Sequence, residues 1–230
     1  MHDATRRDGE LSSASGFAGV DGIGLYYETQ GHGHPLVLIH MEGLDRRMWD
    51  DQVSVFAAHY RVIRFDLPGY GKSARSEERR SPARDVYGLL RFLGIEAAYV
   101  LGASLGGATA LDLTLEHPEV VDALILAAPG LGGYLPSSEA LDQYQQTMPL
   151  FMTAASAGDA AGLVTLLMDE PFSAPAPTPD HAMARQRMRD ILTDNVPVFL
   201  SPPPPSVHLD PPTSTTTTDS ANSHEEALLC

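Results

Sequence analysis

Short, continuous apolar runs recur between Leu36 and Ala127, and segments with helical spacing separate them. The runs are LVLIH at 36–40, RVIRFD at 61–66, AAYVL at 97–101 and VDALILA at 121–127. Runs of this kind suit strands that are buried on both faces of a sheet. The segments at 48–59, 85–93 and 105–117 have the spacing of helices. Strands that alternate with helices predict an α/β fold with a mostly parallel sheet and right-handed crossovers.

Composition divides the chain into four segments. Residues 1–16 lack an apolar stretch, so we expect a disordered leader rather than a secretory signal. Residues 17–130 form the α/β core, opened by a hairpin with a strand at 23–28 after the turn-forming Asp21-Gly22. Helical segments at 140–152, 160–168 and 181–193 predict a helical cap over 131–195. Residues 196–230 hold a proline run and a threonine run, and we expect a disordered, low-complexity tail.

Charge argues against two classes of partner, and cysteine content bears on the compartment of the protein. The formal net charge of -15 argues against nucleic acid or an anionic membrane surface as a partner. No apolar run is long enough to span a bilayer, which needs about 18 residues. The one cysteine, Cys230, leaves no internal disulfide and fits a reducing compartment. We therefore expect a soluble, cytoplasmic protein.

The segment Gly102-Ala103-Ser104-Leu105-Gly106-Gly107 matches the pattern G-x-S-x-G. It follows an apolar strand and opens a helix, which is the setting of a nucleophile elbow. Such a turn holds the serine in a strained conformation, and a Cβ at either flanking glycine would clash with neighbouring backbone. The alternative is a glycine-rich strand-to-helix turn with an incidental serine. The setting favours Ser104 as a catalytic nucleophile.

Four blocks in order resemble the α/β-hydrolase superfamily. They are LVLIHMEGLDRRMWDDQ, RVIRFDLPGYGKS, GASLGG and HPEVVDALILAAPGLGG, within a resemblance that runs from about residue 20 to 133. The chain is similar to the cofactor-independent branch of esterases, enol-lactonases and haloperoxidase-like enzymes. The resemblance implies a mostly parallel sheet under a helical cap, with no metal and no cofactor.

The resemblance also assigns an oxyanion hole. In the family the turn after the His40 strand is usually His-Gly-x, and the backbone N–H of x faces the oxyanion together with the N–H that follows the nucleophile. By position these donors are Glu42 and Leu105. This chain departs from the pattern, since Met41 replaces the usual glycine and a glycine stands at Gly43.

Three further residues invite a catalytic role but are given a structural one. In the family, the histidine at the position of His40 and the aspartate at the position of Asp66 hold loops. We expect the same here. Trp49, the only tryptophan, is predicted to pack at a helix start beneath the cap.

The acid and the base of a serine hydrolase are missing from their expected places. A serine hydroxyl needs a histidine to take its proton and an acid to orient that histidine. The family order implies an acid and then a Gly-His loop after the cap, and neither appears. His208 and His224 lie in the tail, and Asp180 and His181 lie in the cap. The tail also holds the remaining carboxylates, which are Asp210, Asp219, Glu225 and Glu226.

The abrupt change of composition near residues 196–202 suggests that the family's C-terminal strands are missing or replaced by the disordered tail. One hypothesis is a frameshift in the encoding gene, which reading the other two frames would test. A sheet that lacks its last strands exposes an apolar edge, so we expect self-association through that edge.

Two functions stay open at this point. The first is a serine hydrolase that acts on a small carboxylic ester or lactone through Ser104, with the N–H groups of Leu105 and Glu42 receiving the oxyanion. The second is a truncated, catalytically inactive remnant or binding module that keeps the elbow without its base. A nucleotide-binding role is disfavoured, because the turn lacks both the G-x-G-x-x-G spacing and a P-loop lysine.

Overall fold

Short apolar runs separated by helices build a single six-stranded sheet. The computed structural model describes residues 12–78, 80–130, 137–169 and 179–201. The strands are β1 (Ser13–Val20), β2 (Ile23–Gln30), β3 (Pro35–Ile39), β4 (Arg61–Phe65), β5 (Ala98–Ala103) and β6 (Val121–Ala127). Their order in the sheet is β1-β2-β4-β3-β5-β6. Strands β4, β3, β5 and β6 run parallel to one another, whereas β2 pairs antiparallel with β4 and β1 pairs antiparallel with β2. The predicted mostly parallel α/β fold is confirmed.

The helices follow the predicted segments with shifts of a few residues. They are α1 (Asp50–Phe56), α2 (Pro82–Phe92), α3 (Leu105–Glu116), α4 (Ser138–Ala157), α5 (Ala160–Asp169), α6 (Pro179–Asn195) and α7 (Pro197–Leu200). Helix α2 starts at Pro82, earlier than predicted, because the Ser81 hydroxyl caps it by accepting from the Arg84 N–H at 3.4 Å. Within the described segments, no helix combines the length and apolar character that crossing a membrane would need.

Apolar clusters cover both faces of the sheet. On one face α2 and α3 pack on a core that includes the fully buried Leu89, Leu90 and Leu113. On the other face α1 packs through Val53 on β3 and β4. Burying each large aliphatic side chain contributes about 1.5–3 kcal/mol, so this core fixes the sheet that carries the predicted site.

The strand β1 corrects one predicted boundary. We expected a disordered leader through residue 16, but β1 begins at Ser13 and pairs with β2 along its whole length. The connecting turn places Asp21 and Gly22 at φ values of 46° and 86°, which suits a two-residue hairpin. Its serines and glycines give no recognisable strand pattern in the sequence, because backbone pairing with β2 stabilises this strand rather than a pattern of apolar side chains. Residues 1–11 of the predicted leader lie outside the described residues.

A second boundary moves at the end of the cap. Residues 196–200 were assigned to the tail, yet they form the last part of the cap, including α7. Val196 is buried with Leu163 and Ile191, and the Phe199 ring meets Phe151 edge to face at 5.5 Å. The cap therefore includes this short apolar segment. The predicted tail from residue 202 onward lies outside the described residues, as do cap residues 131–136 and 170–178.

The cap is fastened to the core at the end of α6. The amide of Asn195 is buried, and it accepts the Gly71 N–H at 2.8 Å and donates to the Asp45 carboxylate at 3.1 Å. The Arg47 guanidinium bridges the same Asp45 to Asp194 of α6. Asp45 stands at the end of the loop that follows β3. One amide thus ties the cap to two loops at the edge of the sheet.

We predict that Asn195→Ala lowers the free energy of unfolding by about 1–3 kcal/mol, because the Gly71 N–H and the Asp45 carboxylate lose a buried partner. Urea unfolding followed by circular dichroism measures the change. Asp190→Ala is the control, since this exposed residue of the same helix bonds only Gln186 in the described part. Equal stability of the two variants would contradict the proposed fastening.

Candidate active site

Ser104 occupies a sharp turn between β5 and α3. Its backbone has φ of 50° and ψ of -114°, a conformation that costs a non-glycine residue about 1–3 kcal/mol. The turn is held by backbone bonds on both sides of the serine. The Ser104 N–H donates to the Ala127 carbonyl at 3.0 Å, and its carbonyl accepts from Gly130 at 3.2 Å. Packing of β6 and its following turn therefore sustains the strain.

The flanking glycines allow this turn to lie against β3. A Cβ on Gly102 would overlap the carbonyl of Gly106, and a Cβ on Gly106 would overlap the Ile39 carbonyl and come within 2.6 Å of the His40 carbonyl. Backbone atoms cannot move aside as a flexible side chain can. These two positions thus require glycine, as the sequence pattern predicted.

The two predicted oxyanion donors lie at neighbouring strand ends. Strands β3 and β5 are adjacent and parallel, with Ile39 opposite Gly102, so the turns after them meet at one edge of the sheet. Leu105 is the first residue of α3, and Glu42 is exposed in the turn after β3. In the described part of the chain, neither backbone N–H donates a hydrogen bond.

The turn after β3 is shaped by Gly43 and Tyr70. Gly43 has φ of 78°, and its backbone lies near the hydroxyl of the buried Tyr70. Burial, together with the nearby Glu42 carboxylate, raises the pKa of Tyr70 to about 12. The left-handed backbone at Gly43 and the buried Tyr70 thus set the course of the turn that carries Glu42.

His40 has the structural role that was expected of it. The side chain is fully buried, its Nδ1 lies 2.8 Å from the Met41 carbonyl, and its Nε2 accepts the Leu67 N–H at 2.9 Å. Burial lowers the pKa of His40 to about 4, so the ring is neutral near pH 7. Both ring nitrogens are occupied, and the ring has no lone pair free to accept a proton from Ser104.

Asp66 also holds loops rather than serving a base. Its carboxylate accepts the Arg46 N–H at 3.0 Å, the Arg46 guanidinium at 2.8 Å and the Lys72 N–H at 2.8 Å. These contacts join the loop after β4 to the loop after β3. These three hydrogen bonds hold the fully buried carboxylate between the two loops.

Trp49 is buried at the start of α1, at a helix start as predicted. It ends a short 3-10 turn and packs on the sheet with Leu36, Leu38 and Ala103 rather than within the apolar cluster of the cap. Its indole N–H has no hydrogen-bond partner among the described residues. The side chain thus packs against β3 and β5.

The comparisons with known proteins agree with this geometry. The alpha/beta hydrolase fold family matches residues 34–189, about two thirds of the chain. The chain belongs to the alpha/beta hydrolase fold family. A 2-hydroxy-6-oxo-6-phenylhexa-2,4-dienoate hydrolase of Comamonas testosteroni is 39% identical over 114 residues, which are 46% of this chain and 40% of that protein. The chain spans about two fifths of the length of three such curated hydrolases.

Two other relatives are matched over more of their length. A pimeloyl-(acyl-carrier protein) methyl ester esterase of Vibrio atlanticus (strain LGP32) is 31% identical over 186 residues, which are 71% of this chain and 70% of the esterase. Among solved structures, the esterase RhEst1 from Rhodococcus sp. ECU1013 gives a TM-score of 0.65 at 26% identity and covers 83% of this chain and 72% of that one. The three relatives described above are thus named as hydrolases or esterases.

No catalytic base meets Ser104 in the described part of this alpha/beta hydrolase. Within residues 12–78, 80–130, 137–169 and 179–201, the Ser104 hydroxyl makes no hydrogen bond. His34 precedes β3 at the opposite end of the sheet and pairs with Asp122 at 3.0 Å, and His117 follows α3 and stacks on Tyr87. Asp180 and His181 lie in the first turn of α6. His208, His224 and the other tail candidates (Asp210, Asp219, Glu225 and Glu226) lie outside the described residues.

A small cleft opens beside the elbow. It has a volume of about 250 Å³ and lies between Leu105, the loop at 67–70 and Val198 of α7. Arg75, Arg80 and Glu78 contribute charge to its walls. Over the same described residues, no group of three or more His, Cys, Asp or Glu side chains could hold a metal ion.

Sequence reasoning missed the polar residues that fix the loops. Asn195 and Tyr70 both contact loops next to the site, but neither belongs to a motif that a single sequence reveals. Arg46 was visible in the block that carries the resemblance, but its two carboxylate partners come from different strands. Glu28 on β2 binds it at 2.7 Å, and Asp66 after β4 binds it at 2.8 Å.

We predict that His40 contributes to acid sensitivity. Because burial lowers its pKa from about 6.5 to about 4, only the unfolded chain takes up this proton between those values. The stabilisation from neutral His40 is complete above pH 6.5 and is lost as the pH falls toward 4, by at most about 3 kcal/mol.

His40→Gln isolates this contribution, because an amide oxygen can still accept the Leu67 N–H but does not titrate. Urea unfolding at pH 7, 5.5 and 4.5 should show a steeper loss of stability in the natural chain than in the variant. Parallel pH profiles would contradict the assignment of a neutral, buried His40.

Proposed function

We propose that this alpha/beta hydrolase is a serine hydrolase that cleaves a small carboxylic ester or lactone, with Ser104 as its nucleophile. The observation that carries the proposal is the strained backbone at Ser104, held between two glycines that tolerate no Cβ. Strain of this kind persists where the surrounding structure sustains it, and it concentrates at functional sites. A merely structural serine could occupy a relaxed turn.

The N-terminal end of α3 supports the same role for Ser104. Ser104 directly precedes a 12-residue helix, whose N-terminal end carries a partial positive charge from its unpaired N–H groups. Attack of the serine oxygen on an ester carbonyl places negative charge on the carbonyl oxygen. The Leu105 N–H stands at this helix end and is the first donor that we assign to that oxyanion.

The second donor is the Glu42 N–H. The turn after β3 offers the N–H groups of Glu42 and Gly43, and Glu42 stands at the position that the family resemblance gives to the second donor. The Glu42 N–H therefore completes the pair, even though Met41 replaces the family's usual glycine. The side chain of Glu42 is exposed and adds a negative charge beside the site.

The substrate class rests on the relatives. One relative matched over 70% of its own length is a methyl ester esterase, and a solved structure with a TM-score of 0.65 is an esterase. The cleft beside the elbow is lined in part by the apolar side chains of Leu67, Leu105 and Val198. An uncharged acyl or ring substrate suits these surroundings. The cytoplasmic location expected from the composition stays a prediction.

A second candidate function follows from the unbound serine. The Ser104 hydroxyl has no base in the described segments, and His40 cannot supply one because both of its ring nitrogens are occupied. If no histidine from the cap or the tail reaches the serine, the chain is an inactive remnant or a binding module. His181, His208 and His224 are the candidates that separate these two functions.

We predict that the chain hydrolyses p-nitrophenyl acetate and that Ser104→Ala lowers kcat/KM by about 10³-fold or more, because the variant cannot form an acyl-enzyme. Release of p-nitrophenolate measures the rate. Ser156→Ala is the matched control, since this serine is exposed on α4 and bonds only Thr153 among the described residues.

Both variants must keep the circular dichroism spectrum of the natural chain. Equal rates for the natural chain and Ser104→Ala would contradict the hydrolase proposal and favour the inactive remnant. Where turnover depends on Ser104, single alanine variants of His181, His208 and His224 identify the base.

A further inference from the structure

The edge of the sheet at β6 is open and apolar. In the described part of the chain, β6 pairs with β5 on one side and with no strand on the other. Its residues are largely exposed, with 48% of Ile125 and 36% of Leu126 open to solvent. A parallel sheet normally has both faces covered and seldom ends in an exposed apolar strand.

The backbone of β6 offers ordered, unpaired groups along this edge. The Ala127 carbonyl accepts from the Ser104 N–H, so the polar groups of Ala127 face β5. Because the polar groups of successive residues in a strand point to alternate sides, those of Leu124 and Leu126 face outward. In the described segments they bind no other residue. The edge can therefore accept one more strand.

The usual protections of an edge strand are absent from β6. The sequence VDALILA contains no lysine and no proline, and the register shift in its pairing with β5 lies at its beginning. Its one charge, Asp122, is held by the imidazole of His34 at 3.0 Å. Residues 123–127 are thus an uncharged apolar stretch on a chain of net charge -15. Two copies can meet here without bringing like charges together.

We propose that β6 pairs with β6 of a second copy of this chain across a two-fold axis that passes through Ile125. In this antiparallel register Leu124 lies opposite Leu126 of the other copy, and Ala123 lies opposite its Ala127. Both Leu124–Leu126 pairs exchange two N–H···O bonds, and Ile125 faces its own counterpart in a pair without hydrogen bonds. Asp122 lies outside the paired stretch, so every facing pair is apolar.

The opposite edge of the sheet is a poorer docking surface. Strand β1 carries Gly16 and Gly19 and two serines, so it presents little apolar area next to Phe17. The Phe17 ring already packs against Tyr26, with the ring centres 5.2 Å apart. The self-complementary pattern is confined to β6, which commits the proposal to that edge.

A cysteine at the two-fold axis tests this register. Facing residues of a pair without hydrogen bonds have Cα atoms about 4.5 Å apart, which lies within the range of a disulfide. In a Cys230→Ser background, Ile125→Cys should form a covalent dimer under mild oxidation. Phe17→Cys in the same background is the control and should form no covalent dimer, as non-reducing electrophoresis would show.

Sedimentation velocity supplies a second readout. The natural chain should sediment as a dimer, and Ile125→Lys should sediment as a monomer that keeps the circular dichroism spectrum of the natural chain. Equal cross-linking of Phe17→Cys and Ile125→Cys would overturn the register. A monomeric natural chain whose residues 123–127 resist hydrogen exchange would overturn the proposal in favour of a segment of the same chain covering the edge.

Discussion

Close approach of two backbones, at Gly106 and at the end of β3, is the constraint on which the rest of the structure depends. The carbonyls of Ile39 and His40 lie where a Cβ of residue 106 would stand. This contact brings the first turn of α3 against the loop that follows β3. Ser104, Leu105 and Glu42 share one edge of the sheet as a result.

A frame of buried polar groups keeps this edge in place. His40 and Asp66 bind loop backbone, and Asn195 adds the cap to the same frame. Buried polar groups stabilise a structure when each has its partners, and they are costly when one partner is lost. The frame leaves His40 no free nitrogen for catalysis.

The sequence predicted those features that local patterns encode. Strand β6 has the predicted bounds, and β4 and α3 end within one residue of theirs, since continuous apolar runs and a following proline define them. The elbow was predicted because only glycine fits at positions 102 and 106. Strand β1 was missed because pairing rather than pattern forms it, and the end of the cap was missed because Phe199 packs on a residue 48 positions away. Partners such as Asn195 and Gly71, 124 positions apart, exist only after the fold has formed.

The central claim is that the elbow makes Ser104 an activated nucleophile. The most direct measurement is the rate at which a fluorophosphonate probe modifies the protein, with the modified peptide identified by mass spectrometry. The account predicts a single rapid modification, on the peptide that contains Ser104, and none in Ser104→Ala. Slow labelling spread over several serines, or labelling that is the same in Ser104→Ala, would contradict it.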